Sequence, residues 1–308
     1  MAAAAFIAGD WGTSHLRLSL CDAQGCVLDT RQGPGVAELK GDFSACFAGL
    51  IEAWTQQHGA LPAVLCGMVG SNIGWVNVPY LPCPAKPAAI AHAVQRLDKH
   101  IMIAPGLACR NPNDAADFMR GEETQVLGVL RLDARLRKGQ QLLCLPGTHT
   151  KWVVLKDGEV RQFLTAVTGE LFAIIKEHSV LVRASTSHDD AGDVSFQRAM
   201  QHAMQYPAAS LQQLLFECRS RQLDGTLLAE DAAAFLSGLL ITTDVMSAVR
   251  VFSELIPPTT GITFIGTAQL TQRYAAVCDV HGIRTTQVDG ASASLAGLTA
   301  IYTELKNT

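Results

Sequence analysis

Apolar and polar residues alternate from Phe6 to Leu20 in a way that writes two strands around a turn. Phe6, Ile7 and Ala8 lead into Gly9-Asp10-Trp11-Gly12-Thr13-Ser14. Leu16, Leu18 and Leu20 then alternate with His15, Arg17 and Ser19, the period of a half-buried strand. The pattern returns where Leu142-Leu143-Cys144-Leu145-Pro146 reaches Gly147-Thr148-His149-Thr150 and leaves through Lys151-Trp152-Val153-Val154-Leu155. Each copy continues into a turn and a third strand, Asp22-Ala23-Gln24-Gly25 before Cys26-Val27-Leu28 and Asp157-Gly158 before Glu159-Val160. Two β-meanders, one opening each half of the chain, predict an α/β protein of two related domains, 1–138 and 139–308, facing across a cleft.

Between the meanders the periods change. Phe43, Phe47, Leu50, Ile51 and Trp54 recur at helical spacing, with Asp42 as a cap and Gly59 beyond the end. Ala63–Cys66 reads as a short buried strand that empties into Gly67–Trp75. The prolines of Val78–Pro84 forbid a central strand, so it is an extended or edge segment. Pro87–His100 reads as a helix with proline at its start, Ile101–Ala104 as a strand, Pro105–Asp114 as a loop and Thr124–Leu130 as a helix. In the second half, helices are predicted at Leu171–His178, Val194–Gln205, Ser210–Gln222, Glu230–Val249, Gln269–His281 and Ala291–Glu304. Strands are predicted at Ile262–Ile265 and Arg284–Val288, and a mobile polar loop at Ser185–Gly192.

Composition narrows the function classes. With 308 residues, 48% of them apolar, the chain has room for a large core. A net charge of −4, from 28 acidic and 24 basic residues, gives no electrostatic case for nucleic acid. Nine cysteines lie scattered without a CxxC pair, which favours buried reduced thiols over disulfides or zinc. Met1–Ala8 lacks a basic n-region and is not read as a signal peptide. No apolar stretch reads as long enough to span a membrane, so a cytoplasmic location without a membrane partner is expected.

The two turns carry the candidate chemistry. Gly12 lets backbone come close to a phosphate chain, and Thr13 and Ser14 add hydroxyl donors. Asp10 cannot face phosphate bare and fits there only through a hydrated Mg²⁺. Gly147 and Thr148 repeat the arrangement, while Leu145 stands where Asp10 does in the first copy, so the second turn supplies no acid. Lys151 either reaches the phosphates or is a solvated strand lysine. Ser71 and Asn72, at a strand end among three glycines, suit a polyhydroxy acid or make an ordinary strand-to-helix loop. No Walker A sequence and no dinucleotide fingerprint is present.

The paired Gly-Thr hairpins resemble the phosphate-1 and phosphate-2 motifs of the actin, sugar kinase and Hsp70 ATPase superfamily. Asp10–Ser14, Cys66–Ser71, Met119–Gln125, Leu145–Trp152 and Thr168–Glu170 together resemble the 2-dehydro-3-deoxygalactonokinase family. The resemblance implies two ribonuclease H-like (actin-like ATPase) domains, each a mixed sheet flanked by helices, with the last helix, 291–304, packed back on the first lobe. It implies ATP and Mg²⁺ as cofactors, and transfer of the γ-phosphate to the terminal hydroxyl of 2-dehydro-3-deoxy-D-galactonate in galactonate breakdown. In the glucokinase branch the catalytic Asp stands at a helix start shortly before phosphate-2, the place that Glu122 and Glu123 occupy here. Neighbouring helix residues diverge by about 100°, so one of the two faces the substrate, and Glu122 is preferred. Arg120 is the candidate for the acid's carboxylate. Gly266 and Thr267 resemble the adenosine motif, and Glu170 is a weaker candidate for Mg²⁺ or ribose. A related sugar or amino-sugar kinase, or an actin- or Hsp70-like ATP-binding protein, are the alternatives. The partner is a small sugar acid, and a homodimer stays open.

Overall fold

The first meander forms as its pattern demands. In a computed structural model that describes residues 3–39, 41–182, 194–254 and 261–307, β1 (Phe6–Trp11), β2 (His15–Cys21) and β3 (Val27–Pro34) run antiparallel, with Asp10 opposite Arg17. Leu16, Leu18 and Leu20 are buried while His15 and Arg17 face out. Further on come α1 (Phe43–His58), β4 (Ala63–Cys66), β5 (Leu81–Pro82), α2 (Pro87–His92), β6 (Gln95–Arg96), β7 (Ile101–Ile103), β8 (Leu107–Arg110), β9 (Ala116–Met119) and α3 (Glu122–Leu132). The second half holds β10 (Gln140–Leu145), β11 (Thr150–Lys156), β12 (Glu159–Ala166), α4 (Thr168–His178), α5 (Val194–Gln205), α6 (Leu211–Leu223) and α7 (Ala232–Val251). It ends with β13 (Ile262–Gly266), α8 (Ala268–Val280), β14 (Thr285–Asp289) and α9 (Gly290–Lys306). The polar segment Ser185–Gly192 lies outside the described residues.

The repeat read from the meanders is a repeat of topology. One sheet runs β3-β2-β1-β4-β7-β6 and another β12-β11-β10-β13-β14. In both, a meander is extended from its first strand by a parallel neighbour, β4 on β1 and β13 on β10. A third, small sheet runs β5-β8-β9. The chain divides into two compact units. The first takes everything up to Gly139, then Val153–Phe163, then the chain from Val288 onward; the second takes Gln140–Trp152 and Leu164–Gln287.

In the first unit, Trp11, Phe43, Phe47, Trp54, Val69 and Ile103 meet in one core. Helix α9 lies against α3 and against β1. The helices touch at glycines: a Cβ on Gly128 would lie 1.8 Å from the carbonyl oxygen of Ala293, and one on Gly297 would lie 1.9 Å from that of Thr124. No other residue fits at those two positions without moving the helices apart. In the second unit, α7 runs through the core and packs on α4, α5, α6 and α8. Contrary to the expectation from sequence, the segment Ala229–Val251 is long and apolar enough to cross a membrane by length and composition. Its apolar window is 78% buried inside the protein, as befits a core helix.

Three further expectations are corrected. The helix beginning at Pro87 stops at His92, and Gln95–Arg96 instead pairs with Met102 and Ile103. The side chain of Asp98 accepts from the N–H groups of His100 and Ile101, and that turn holds a hairpin where helical spacing alone suggested more helix. The Pro105–Asp114 loop contains β8, paired with β9 through a turn in which Asn111 accepts from Asn113 and Ala115. Helix α3 begins at Glu122 rather than Thr124.

Candidate active site

In the first unit the candidate residues gather at the carboxyl ends of two adjacent parallel strands. Asp10, near the end of β1, is in register with Cys66 at the end of β4. Beyond β1 the chain turns at Gly12, whose N–H donates to the His15 carbonyl, and leaves Thr13 and Ser14 exposed. Beyond β4 it turns at Gly67, at φ +91°, and Gly121, at φ +104°, packs onto it: a Cβ on Gly121 would sit 3.3 Å from the Gly67 Cα. Both left-handed positions favour glycine. Their contact delivers the start of α3 to the end of β4, which puts Glu122 and Glu123 in the neighbourhood of Asp10.

The electrostatics follow from burial. Burial pushes the Asp10 carboxyl above its ordinary pKa, and hydrogen bonds to Ser294 and Cys66 and the charge of Arg17 pull it back. Glu123 has no exposed surface. Burial, and then the charge of Glu122, push it up to about 7, against hydrogen bonds from the Thr124 hydroxyl at 2.8 Å and the Gly121 N–H at 2.6 Å. Glu122 is half-buried, and its Oε2 accepts from the Arg120 N–H at 3.0 Å. The guanidinium of Arg120 lies 4.3 Å from the centre of the Tyr80 ring and donates from Nη2 to the Val78 carbonyl at 2.6 Å. Its Nε and Nη1 are buried without a hydrogen-bond partner among the described residues, and Nη1 lies against Gly70. Next along the chain, Ser71 is buried and accepts from the Ile73 N–H, and Asn72 is exposed.

The second unit builds its site the same way. The Gly147 turn follows β10, and Gly266-Thr267 follows its parallel neighbour β13. A Cβ on Gly147 would meet nothing within 4 Å, so the protein itself does not require glycine there. Gly169 is the opposite: its Cβ would lie 2.3 Å from the Gly147 carbonyl oxygen, so the start of α4 presses directly on the turn. A cavity of about 240 Å³ opens beside these turns, lined by Gly147, Gly169, Phe172, Leu240, Thr267 and Arg273 among others. His149 and Glu170 form an exposed pair at 2.7 Å. Lys151 is not a solvated lysine: it is 5% exposed and donates to the Thr165 hydroxyl at 2.8 Å.

The sequence reading passed over a buried network behind this cavity. Asp244, the sole acid in α7, accepts from Trp152 Nε1 at 2.8 Å, from the Thr168 hydroxyl at 2.6 Å and from the Tyr274 hydroxyl at 2.8 Å. The Thr150 hydroxyl lies 2.9 Å from that of Tyr274. Burial raises the Asp244 pKa and these donors lower it. One carboxylate inside a mostly apolar twenty-residue helix was the available signal. Ser294, bonded to Asp10 from α9, carried no such signal in its small-residue run.

As for metal, no group of three or more acidic, histidine or cysteine side chains suited to a metal ion occurs among the described residues. Asp10 offers a carboxylate oxygen on the strand that leads into the first turn. That donor set fits Mg²⁺, which keeps most of its waters and takes its other ligands from phosphate. Glu170 is engaged by His149.

A family model described as 2-keto-3-deoxy-galactonokinase matches residues 10–301. The chain is 37% identical over 302 residues to a Rhizobium meliloti (strain 1021) protein named probable 2-dehydro-3-deoxygalactonokinase, covering 96% of this chain and 95% of that one. It is 34% identical over 305 residues to the 2-dehydro-3-deoxygalactonokinase of Escherichia coli (strain K12), covering 99% of each. A crystal structure of a Sinorhizobium meliloti protein that carries the same enzyme name superposes with a TM-score of 0.86 at 36% identity, covering 96% of this chain and 97% of that one.

Proposed function

The chain belongs to the 2-keto-3-deoxy-galactonokinase family, and from that premise we propose how its residues divide the work of phosphoryl transfer. It is a phosphotransferase with an alcohol acceptor. Its reaction moves the γ-phosphate of ATP to the terminal hydroxyl of 2-dehydro-3-deoxy-D-galactonate, giving the 6-phosphate. Such a reaction asks the protein for positioning and charge neutralisation.

We read each unit as an actin-like lobe with a phosphate turn of its own. Gly12, Thr13 and Ser14 in one, and Gly147 and Thr148 in the other, donate N–H and hydroxyl groups to phosphate oxygens. The observation that carries the nucleotide half is the cavity joining Gly147 to Thr267. Its apolar wall, with Phe172 and Leu240, suits a base, and its mouth lies at the carboxyl ends of parallel strands. Asp10 would hold hydrated Mg²⁺, which when bound offsets phosphate charge. Glu170 is left out of the metal set because His149 occupies it. Gly147 leaves open space beside its turn, as close approach of a triphosphate requires, and a Cβ on Gly12 would touch only the His15 carbonyl oxygen, at 3.6 Å.

For the acceptor, Glu122 is the orienting base. A base needs surface that a substrate hydroxyl can reach, and Glu122 keeps some while Glu123 has none. The charge of Arg120, with two donors unmet by protein, is matched to the acid's carboxylate. Ser71 and Asn72 border that position. ADP release coupled to a colour reaction tests the assignment across a panel of sugar acids, hexoses and amino sugars. Turnover confined to 2-dehydro-3-deoxy-D-galactonate is expected, and faster turnover of an amino sugar, or without any acceptor, would overturn it. Asp10→Asn is expected to abolish turnover. Glu122→Gln is expected to lower kcat more than it raises KM; that behaviour from Glu123→Gln instead would exchange their roles.

A further inference from the structure

A carboxylate with no proton to give makes every hydroxyl around it a donor. Tyr274 spends its single proton on Asp244 Oδ2, so the Thr150 hydroxyl, 2.9 Å away, turns its own proton toward Tyr274 or toward Asp244 itself. Thr168 spends its proton on the same oxygen, and Trp152 can only donate. The chain of bonds therefore has one direction, inward to Asp244. It joins α7 to four places at once: Thr150 and Trp152 on the strand leaving the Gly147 turn, Thr168 at the start of α4, and Tyr274 on α8. Thr168 and Tyr274 also line the 240 Å³ cavity. With its proton turned inward, Thr168 shows the cavity its lone pairs alone.

We propose that Asp244 is a positioning residue for the nucleotide: it holds the Gly147 turn, the start of α4 and the α8 wall in register and fixes the Thr168 hydroxyl as an acceptor toward the cavity. This rests on the nucleotide reading of that cavity. It adds a residue that touches no ligand yet decides which groups a ligand meets. The network is satisfied by hydrogen bonds alone, without a basic partner for Asp244 among the bonds described, and it sits at the back of a cavity rather than in a solid core. A carboxylate kept there, where an apolar residue would cost less burial, has its explanation in the direction it imposes on the hydroxyls.

Asp244→Asn is the informative change. The amide oxygen can still accept from Trp152, but the –NH₂ then faces Thr168 and Tyr274 and obliges both to turn their protons away. Thr168 then presents a donor to the cavity instead of an acceptor. The expected result is an ATP KM raised about ten-fold, the effect of one charge-assisted hydrogen bond, with the sugar-acid KM within about two-fold of wild type by the same scale. Tyr274→Phe, which leaves the Thr168 bond in place, is expected to raise the ATP KM less than Asp244→Asn does. If Asp244→Asn does not fold, Thr168→Val removes the hydroxyl at the cavity edge and is expected to give the same ATP-selective rise. An unchanged ATP KM in the folded variant, or both KM values rising together, overturns the assignment. Thermal shift of the wild-type protein with ADP separates the two levels. No shift there sinks the nucleotide reading itself, while a shift with an unaltered ATP KM in Asp244→Asn sinks the role of Asp244 alone.

Discussion

Glu123 shows how a single residue ties the site to stability. Its carboxyl is pushed up to about 7 in the folded protein from an ordinary value of 4.5, chiefly by burial and then by the Glu122 charge. Between those values the folded chain holds a proton that the unfolded chain has released. Stability from this group is therefore full below pH 4.5 and is lost as pH rises through 7, by roughly 3 kcal/mol in all. Glu123→Gln mimics the protonated form. It is expected to melt several degrees above wild type at pH 8 and close to it at pH 4.5; the same offset at both pH values would refute the account. Adjacent acids at a helix start were legible in the chain, but which one is buried was not. That depends on Gly121 docking on Gly67, a contact between segments more than fifty residues apart. Asp10 needed no such contact, because its place on a strand before a glycine turn is written locally. Lys151 shows the converse: alternation gives a strand face, but Thr165, from the next strand of the hairpin, decides that the ammonium is buried.

At the scale of elements, the two glycines of the second turn separate fold from function. Gly169→Ala places a methyl 2.3 Å from the Gly147 carbonyl oxygen. The start of α4 must then retreat, at a cost of about 1–3 kcal/mol, and the ATP KM is expected to rise with it. Gly147→Ala meets no protein atom within 4 Å, so its stability is expected within about 0.5 kcal/mol of wild type. Its ATP KM is nevertheless expected to rise, since the space it fills is the space assigned to phosphate. Calorimetry and ATP titration of both variants check this; a Gly147→Ala protein with wild-type ATP affinity would remove that turn from the phosphate site. Long elements such as α1, α5 and α7 were legible, the first two because each buries a repeating face and α7 because it is a long apolar run buried on nearly all sides. Strand β7 was legible as the apolar run Ile101–Ala104, but its partner β6 and the β8–β9 hairpin were not, because those strands are two to four residues long and carry no period. Their signals are the turn residues: Asp98, inside a stretch whose spacing is helical, and the Asn111–Asp114 run, which marks a turn without showing the strands on either side.

For the whole molecule, the meander repeat announced two sheets of like strand order, and the two sheets have it. Which chain segments complete each unit is a separate matter, set by close approach and not by pattern. The first unit is built from three stretches of chain, the last of which supplies α9. That helix covers α3 and reaches β1, and the contact is made by backbone on backbone at Gly128 and Gly297. Such contacts have little tolerance, since interiors pack as densely as organic crystals. A fragment ending at residue 138 lacks α9 and leaves Val126, Leu127, Val129 and Leu130 of α3, all buried in the intact chain, without part of their cover. It is expected to be expanded and to bind hydrophobic dyes, with poor dispersion of its amide resonances. Gly297→Leu in the full chain is expected to reproduce part of that loss, because the side chain must enter the space of the Thr124 carbonyl. It should lower the melting temperature and, since Thr124 holds Glu123, disturb the pH dependence of stability as well. A well-dispersed spectrum from the 1–138 fragment, or a Gly297→Leu protein as stable as wild type, would show that α9 is dispensable to the first unit.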